Sequence, residues 1–167
     1  MSMTLNPVNE AAFQKAVQSL ETLNRAAVFH PTGTGKSCIA WKVVEAHPQT
    51  TFFWLVAGAQ RLALRQAELT RYNGGTLPGN VRFCDCEKLA VATPEQWVRL
   101  GEQKPGCIVL DCYHELSAVC WAQSVQKLLR MCPQAKVLGL GVPNGAPVCA
   151  AAQELFADCI VSHMTVA

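Results

Sequence analysis

The sequence predicts a three-layer α/β domain in which a mainly parallel sheet is flanked by helices on both faces. Short apolar runs, typical of buried strands, alternate along the chain with segments of helical periodicity. One of these strands, residues 26–29, leads into a glycine-rich loop that opens a helix. Parallel sheets are built from such strand and helix units, so a doubly covered parallel sheet follows from the pattern.

The first element is a helix, expected over residues 6–24. Ala12, Ala16 and Leu20 recur there at helical spacing, and Asn6 or Asn9 can cap the start. The strands predicted are 26–29, 52–56, 81–84, 107–111, 136–140 and 159–161. The further helices predicted are 38–46, 60–72, one that begins at 93–94, 121–131 and 148–156.

Composition limits the classes of function. The 167 residues are about one domain, 1–167, and a chain that is 50% hydrophobic and 16% charged is globular rather than disordered. A net charge of +2 neither requires nor excludes nucleic acid. No apolar run approaches the roughly 20 residues of a membrane span, and no signal segment is evident, so we expect a cytoplasmic protein. The odd number of cysteines, none in a C-x-x-C spacing, favours reduced thiols.

The glycine-rich loop covers residues 30–37 and departs from the phosphate-binding pattern G-x-x-x-x-G-K-[ST] only in its first position, which is His30. In this pattern the glycines let backbone N–H groups surround an anion, the lysine reaches the β- and γ-phosphates, and the hydroxyl ligates Mg²⁺. The residues predicted to bind a nucleotide here are Thr32, Gly33, Thr34, Gly35, Lys36 and Ser37. The structural alternative is an ordinary glycine-rich turn capped by Ser37.

A second candidate site lies where the apolar strand 107–111 ends in Asp111. Phosphate-loop ATPases hold Mg²⁺ with a carboxylate at the carboxyl end of a strand near the loop. We therefore predict that Ser37 and Asp111 are the magnesium ligands. Read by itself, an aspartate at a strand end is also compatible with a turn or a helix cap.

With these motifs the chain resembles the first motor domain of superfamily 2 helicases of the DEAD/DEAH-box kind, particularly the helicase subunits of type III restriction enzymes. Residues 31–37 (PTGTGKS) stand in place of motif I and 54–60 (WLVAGAQ) in place of motif Ia; 110–114 (LDCYH) and 138–143 (LGLGVP) stand in place of motifs II and III. The resemblance covers nearly the whole chain. It implies a RecA-like P-loop NTPase fold, ATP and Mg²⁺ as ligands, DNA or RNA bound through its phosphate backbone, and an adenine contact for Asn9.

Two stretches depart from the family pattern. Cys112 stands where motif II has the glutamate that activates the attacking water, and loss of a general base typically costs on the order of 10²–10⁴ in rate. At positions 141–143 (GVP) the hydroxyl groups of motif III are missing. Asp111 and His114 remain the motif II candidates for catalysis, although His114 is also compatible with an ordinary polar loop residue. Hydrolysis by the isolated chain is expected to be weak or absent. A Cys112→Glu variant that gains no ATPase activity, even with the missing half supplied, would contradict this.

The sequence ends before a second RecA-like domain, which in the family supplies an arginine finger. We therefore expect a motor domain that acts with a second RecA-like domain or chain, or a truncated or impaired copy. The alternatives are a non-hydrolysing nucleotide-binding interaction module and, less compatible with the motifs, a small-molecule kinase or another phosphate-loop NTPase. Arg61, Arg65 and Arg71 are able to contact a phosphate backbone, but three arginines on one helix more often form a solvated face.

Overall fold

The computed structural model describes residues 3–111, 113–143 and 150–164. The strands within these ranges are β1 (Arg25–Phe29), β2 (Phe52–Val56), β3 (Val81–Asp85), β4 (Cys107–Asp111), β5 (Lys136–Gly141) and β6 (Ile160–His163). The helices are α1 (Pro7–Leu23), α2 (Lys36–Ala46), α3 (Ala59–Tyr72), α4 (Cys86–Ala90), α5 (Pro94–Glu102), α6 (Ala118–Cys120), α7 (Lys127–Met131) and α8 (Ala150–Phe156). A 3₁₀ turn covers Tyr113–Glu115, and a π-helical segment, Trp121–Gln126, joins α6 to α7.

The described strands form one sheet in the order β3-β2-β4-β5-β1-β6, and every neighbouring pair is parallel. β5 lies between β1 and β4, so that Ala27 is opposite Gly139 and Val109 is opposite Leu138. In such a sheet all carboxyl ends point to one edge, where ligands of open α/β sheets usually bind. The loops after β1, β4 and β5 therefore share that edge.

Helices cover both faces of the sheet, because successive strand residues point to opposite sides. On one side, residues such as Val28 and Trp54 pack with side chains from α1, α2 and α3. On the other side, Ala27 and Phe53 pack with side chains from α5, α7, α8 and the π-helical segment. This confirms the predicted three-layer α/β fold. None of the described helices combines the length and apolar character needed to cross a membrane.

Local signals explain where several elements begin. Asn6, rather than Asn9, caps α1, and its side chain accepts a hydrogen bond of 2.9 Å from the N–H of Asn9. Thr93 and Gln96 form a reciprocal capping box at the start of α5, as the sequence favoured. The seven cysteines in the described ranges are free thiols.

Several predicted elements differ from those observed or go untested, and other bounds shift by one or two residues. The helix α4 was not predicted, the helix predicted to begin at residue 121 begins at Ala118, and the last strand covers Ile160–His163 rather than 159–161. The predicted start of the last helix, residue 148, lies outside the described residues. Short elements without a full hydrophobic period give little sequence signal, which accounts for the first of these differences.

Candidate functional site

The glycine-rich loop connects β1 to α2 at the carboxyl edge of the sheet. Gly33 and Gly35 have φ values of +83° and +89°, a left-handed conformation that other residues adopt only with strain. The carbonyl of Gly35 accepts the N–H groups of Cys38 and Ile39, at 3.0 and 3.2 Å, and so starts the helical hydrogen bonding of α2. The positive end of the α2 dipole therefore opens into the loop, as at anion sites.

Lys36 lies inside the loop. Its ammonium donates hydrogen bonds to the carbonyls of His30 and Pro31, at 2.8 and 2.9 Å. The hydroxyl of Thr34 donates to the same Pro31 carbonyl at 2.7 Å. These bonds hold the loop in a closed ring around the ammonium. Phosphate oxygens are stronger acceptors for a cation than neutral carbonyls, so a phosphate placed in the ring would compete for Lys36.

Asn9 is buried against the outside of the same loop. Its side-chain amide donates a hydrogen bond of 2.9 Å to the carbonyl of Thr34, which joins α1 to the loop. No partner for Asn9 Oδ1 is found among the described residues. This placement assigns Asn9 a supporting contact with the loop backbone. The adenine contact implied by the family resemblance stays a prediction.

His30, at the position of the missing first glycine, is fully buried. Its Nε2 lies 2.7 Å from the Ser162 hydroxyl of β6, and its backbone N–H donates to the Gly141 carbonyl of β5. Burial, and then the positive charges of Lys36 and His163, lower the pKa of His30 below its usual value. The residue therefore joins the loop to two strands, and its lowered pKa favours the neutral imidazole.

A cleft of about 500 Å³ separates the loop from α3. The residues that line it from the loop and the start of α2 are Thr32, Gly33, Gly35, Lys36, Ser37 and Cys38, and those from α3 are Arg61, Leu64, Arg65, Glu68 and Tyr72. Glu115 and Val142 also line it. The hydroxyl of Tyr72 interacts with the side chains of Ser37 and Cys38. Of the residues predicted to bind phosphate, all but Thr34 thus line a cleft of ligand size, and their binding role stays a prediction.

Asp111 ends β4 and is only 3% exposed. Its Oδ2 accepts a hydrogen bond of 2.9 Å from the indole N–H of Trp54 and one of 2.5 Å from Nε of Arg65. Its Oδ1 accepts from Nη2 of Arg65 at 3.3 Å. Arg65 also pairs with Glu68 on the same helix. Both oxygens of the predicted magnesium ligand are therefore bound by protein donors.

This arrangement does not fit Mg²⁺ at Asp111. The ion takes oxygen ligands at about 2.1 Å and keeps several of its waters, which leaves no room for a guanidinium on the same carboxylate. Among the described residues, no group of three or more His, Cys, Asp or Glu side chains is placed to hold a metal ion. The magnesium roles of Ser37 and Asp111 remain predictions. At Asp111 the hydrogen bonds from Arg65 and Trp54 do not fit a bound Mg²⁺.

The three arginines of α3 have different surroundings. The side chain of Arg65 is 16% exposed and ion-paired, so the expectation of a solvated face is wrong for this residue. Arg61 pairs with Glu115 at 2.5 Å, and its side chain is 46% exposed. Arg71 lies over the ring of Tyr72. The sequence signal for Arg65 was its place on the predicted helix after β2, one turn beyond Arg61, but nothing in the sequence pointed to Asp111 as its partner.

The remaining motif residues are only partly described. Cys112 and the side chain of His114 lie outside the described residues, so the roles assigned to them stay predictions. Val142, in the place of motif III, lines the cleft, and the preceding Gly141 accepts the backbone N–H of His30. The end of β5 is thereby joined to the glycine-rich loop through the backbone.

The sheet order, the flanking helices and the glycine-rich loop after β1 define a three-layer α/β domain of the RecA-like kind. Solved structures of helicases have a similar fold. The UvsW helicase from bacteriophage T4 has a TM-score of 0.63 and 12% identity over 84% of this chain and 53% of that chain. A hypothetical ATP-dependent RNA helicase from Sulfolobus tokodaii has a TM-score of 0.67 and 10% identity over 97% of this chain and 52% of that chain.

A third similar structure is the ATP-dependent Type ISP restriction-modification enzyme LlaBIII bound to DNA, with a TM-score of 0.57 and 14% identity over 84% of this chain and 13% of that chain. At such identities the likeness shows the fold alone. The chain spans about half the length of the first two structures. No protein-family model matches the sequence, and no curated protein does.

Proposed function

We propose that this chain is an ATP-binding motor domain of a DEAD/DEAH-box-like helicase or nucleic-acid-dependent ATPase, in a form that hydrolyses ATP weakly or not at all. One observation carries the proposal. The loop between β1 and α2 has Gly33 and Gly35 in left-handed conformations and Lys36 at its centre, and it faces a cleft of about 500 Å³. Cavities of this size suit a small ligand such as a nucleotide.

The chain's own groups would bind the triphosphate as follows. The backbone N–H groups of the loop and the N-terminus of α2 would surround the phosphate oxygens. Lys36 would exchange its two carbonyl acceptors for phosphate oxygens, since a charge-assisted hydrogen bond is the stronger one. Asn9 would keep the loop in shape through the Thr34 carbonyl. The family resemblance adds Mg²⁺ as a companion of ATP, but no step is assigned to it because Asp111 is paired with Arg65.

The nucleic-acid partner is part of the same proposal. The helicase fold of the solved structures supports DNA or RNA as a partner, and one of those structures is described as bound to DNA. A second RecA-like domain or chain would complete the motor. Relation to type III restriction enzymes is the finer proposal and rests on the sequence motifs.

The second candidate function is a non-hydrolysing nucleotide-binding interaction module. It is favoured by the pairing of Asp111 with Arg65 and by Cys112 at the position of the catalytic glutamate. Such a module would hold ATP tightly, would not turn it over, and would not respond to nucleic acid. An impaired motor would instead be stimulated by DNA, RNA or a partner RecA-like domain.

The test is ATP binding and turnover by the purified chain, with and without single-stranded DNA or RNA. We expect Lys36→Ala to weaken ATP binding by about tenfold or more, because a charge-assisted contact is lost. Lys15→Ala, which removes an exposed lysine from α1, is the matched control and should bind ATP like the wild type. Failure of the wild-type chain to bind ATP would contradict the proposed function.

A further inference from the structure

We propose that Arg65 takes the place of Mg²⁺ at Asp111, so that the cleft binds a nucleoside triphosphate without a metal ion. The inference depends on the proposed function, because it concerns the ligand of the same cleft. It starts from the pairing itself: Nε and Nη2 of Arg65 contact Oδ2 and Oδ1 of Asp111, at 2.5 and 3.3 Å. Both oxygens of one carboxylate are thus held by one guanidinium.

The pair is well buried and supported from both sides. Asp111 is 3% exposed, and the indole N–H of Trp54, itself fully buried, donates to its Oδ2. Glu68 binds Nη1 of Arg65 from the neighbouring turn of α3. Breaking such a pair would leave a buried charge without its partner, which is strongly unfavourable. A metal ion entering at Asp111 would have to displace the guanidinium of Arg65 and the indole N–H of Trp54 from the carboxylate.

The cavities next to Arg65 and Asp111 also favour a site without Mg²⁺ at Asp111. Arg65 lines the 500 Å³ cleft, across from Lys36 and Ser37 of the loop. Asp111 does not line this cleft but a small void of about 20 Å³, together with Val56 and with Arg61, Leu64 and Arg65 of the cleft wall. A void of that size holds about one water molecule, whereas Mg²⁺ normally retains several. At this position the cleft wall therefore presents the guanidinium of Arg65 rather than the carboxylate of Asp111, while Glu68 and Glu115 also line the cleft.

The chemistry of the guanidinium suits this role. In a metal-dependent site the divalent ion lies between an acidic side chain and the phosphates and cancels the repulsion between them. Arg65 already pairs with Asp111 and Glu68, and because a guanidinium carries five N–H donors it can also donate to a phosphate while it keeps its bonds to a carboxylate. The ligand class that fits is a metal-free nucleoside di- or triphosphate. Its affinity would depend on Arg65 and hardly on the concentration of Mg²⁺.

The experiment is calorimetric titration of the chain with ATP in EDTA and, separately, in Mg²⁺. The wild type should give dissociation constants that agree within about threefold, since the ion adds no contact at Asp111. ATP binding that Mg²⁺ strengthens by more than about tenfold would overturn the inference and leave the proposed function intact. Absence of binding in both buffers would overturn both.

The Asp111→Asn variant separates the two roles of the carboxylate. If Arg65 is the cation of the site, loss of the negative charge leaves ATP binding in EDTA unchanged or tighter. If Asp111 holds the metal, the variant instead loses binding that was seen only with Mg²⁺. The wild type and the variant are compared in the same two buffers, and the second result would overturn the inference.

The Arg65→Met variant tests the guanidinium directly. ATP binding in EDTA should weaken by about tenfold or more, and Mg²⁺ should restore part of it because Asp111 is then released. Should this variant not fold, Arg65→Met combined with Asp111→Asn removes the unpaired charge and should still bind ATP weakly in both buffers. Arg82→Met, on an exposed position of β3, is the control for charge loss. Wild-type affinity of either Arg65 variant in EDTA would overturn the inference.

Discussion

The side-chain amide of Asn9 is hydrogen-bonded to the backbone carbonyl of Thr34, at 2.9 Å, across 25 residues of sequence. This bond joins the first helix to the glycine-rich loop. Thr34 also donates its hydroxyl to the carbonyl of Pro31, so a change at Asn9 also affects the part of the loop near Pro31. The conformation of the loop is therefore set in part by a helix that precedes the sheet.

Asn9→Ala should destabilise the protein and weaken ATP binding together. Removing the amide takes this donor away from the partly buried Thr34 carbonyl, and loss of a hydrogen bond typically costs about 0.5–1.5 kcal/mol. The free energy of unfolding from chemical denaturation and the ATP dissociation constant measure the two effects. Gln14→Ala, an exposed change on the same helix, should remain within about 0.5 kcal/mol of the wild type. Normal ATP binding by a destabilised Asn9→Ala variant would contradict the loop-supporting role.

Alanine at Gly35 should be more damaging than alanine at Gly33. Both glycines have positive φ, so each substitution carries a backbone strain of about 1–2 kcal/mol. A Cβ at Gly35 would also lie 2.8 Å from Nδ2 of Asn9, whereas a Cβ at Gly33 would meet nothing within 4 Å. Thermal and chemical unfolding of the two variants measure which one loses more stability. Gly79→Ala, where a Cβ also meets nothing within 4 Å, is the control, and equal losses for Gly33 and Gly35 would count against the predicted clash.

The stability of the chain should fall on acidification because of His30. Its folded pKa is lowered from 6.5 by burial, Lys36 and His163, so the unfolded chain takes up a proton first as the pH falls. The contribution is complete above about pH 6.5 and is lost as the pH drops towards the lowered folded value. A His30→Gln variant should show a flatter decline in the free energy of unfolding between about pH 8 and about pH 5. Parallel declines for variant and wild type would refute the assignment to His30.

Cys107 should resist alkylation in the folded protein. It is 3% exposed, and burial raises its pKa to about 12, so near pH 8 only about one thiol in 10⁴ is ionised. Cys38, which is half-buried at the cleft, should be labelled by iodoacetamide well before Cys107. Mass spectrometry of partly labelled protein shows which of the two cysteines is alkylated first. Denaturant should abolish the difference between their alkylation rates. Rapid labelling of Cys107 without denaturant would show that β4 is open to solvent.

The fold was largely predictable from local patterns. The strands Phe52–Val56 and Cys107–Asp111 have the bounds expected from the sequence, since each is a five-residue apolar run that is buried throughout. Thr93 followed by Pro94 marked the start of α5, because cap and first-turn preferences act within a few residues. Such signals need no knowledge of tertiary contacts.

The missed features depend on contacts between distant parts of the chain. The pairing of Arg65 with Asp111 spans 46 residues and arises only when α3 packs beside β4. The helix α4 has five residues and is started by the side chain of Asp85, which also accepts the N–H of Gly58. In the π-helical segment, Ser124 donates its hydroxyl to the carbonyl of Cys120, a local bond that helical periodicity does not predict. The sequence thus predicted the loop residues of the candidate site, but it did not predict the ion pair between Arg65 and Asp111.

Because β5 lies between β1 and β4, the sheet sets the distance between the glycine-rich loop and Asp111. The glycine-rich loop and Asp111 extend from strands that are two spacings apart, about 10 Å, and that distance is fixed by backbone hydrogen bonds. Substitutions within the loops change which groups face the gap, but they leave its width unchanged. Only a long side chain or a bound molecule can span this gap. Evolution of this chain could therefore alter its ligand by exchanging residues of α3 while the sheet stayed the same.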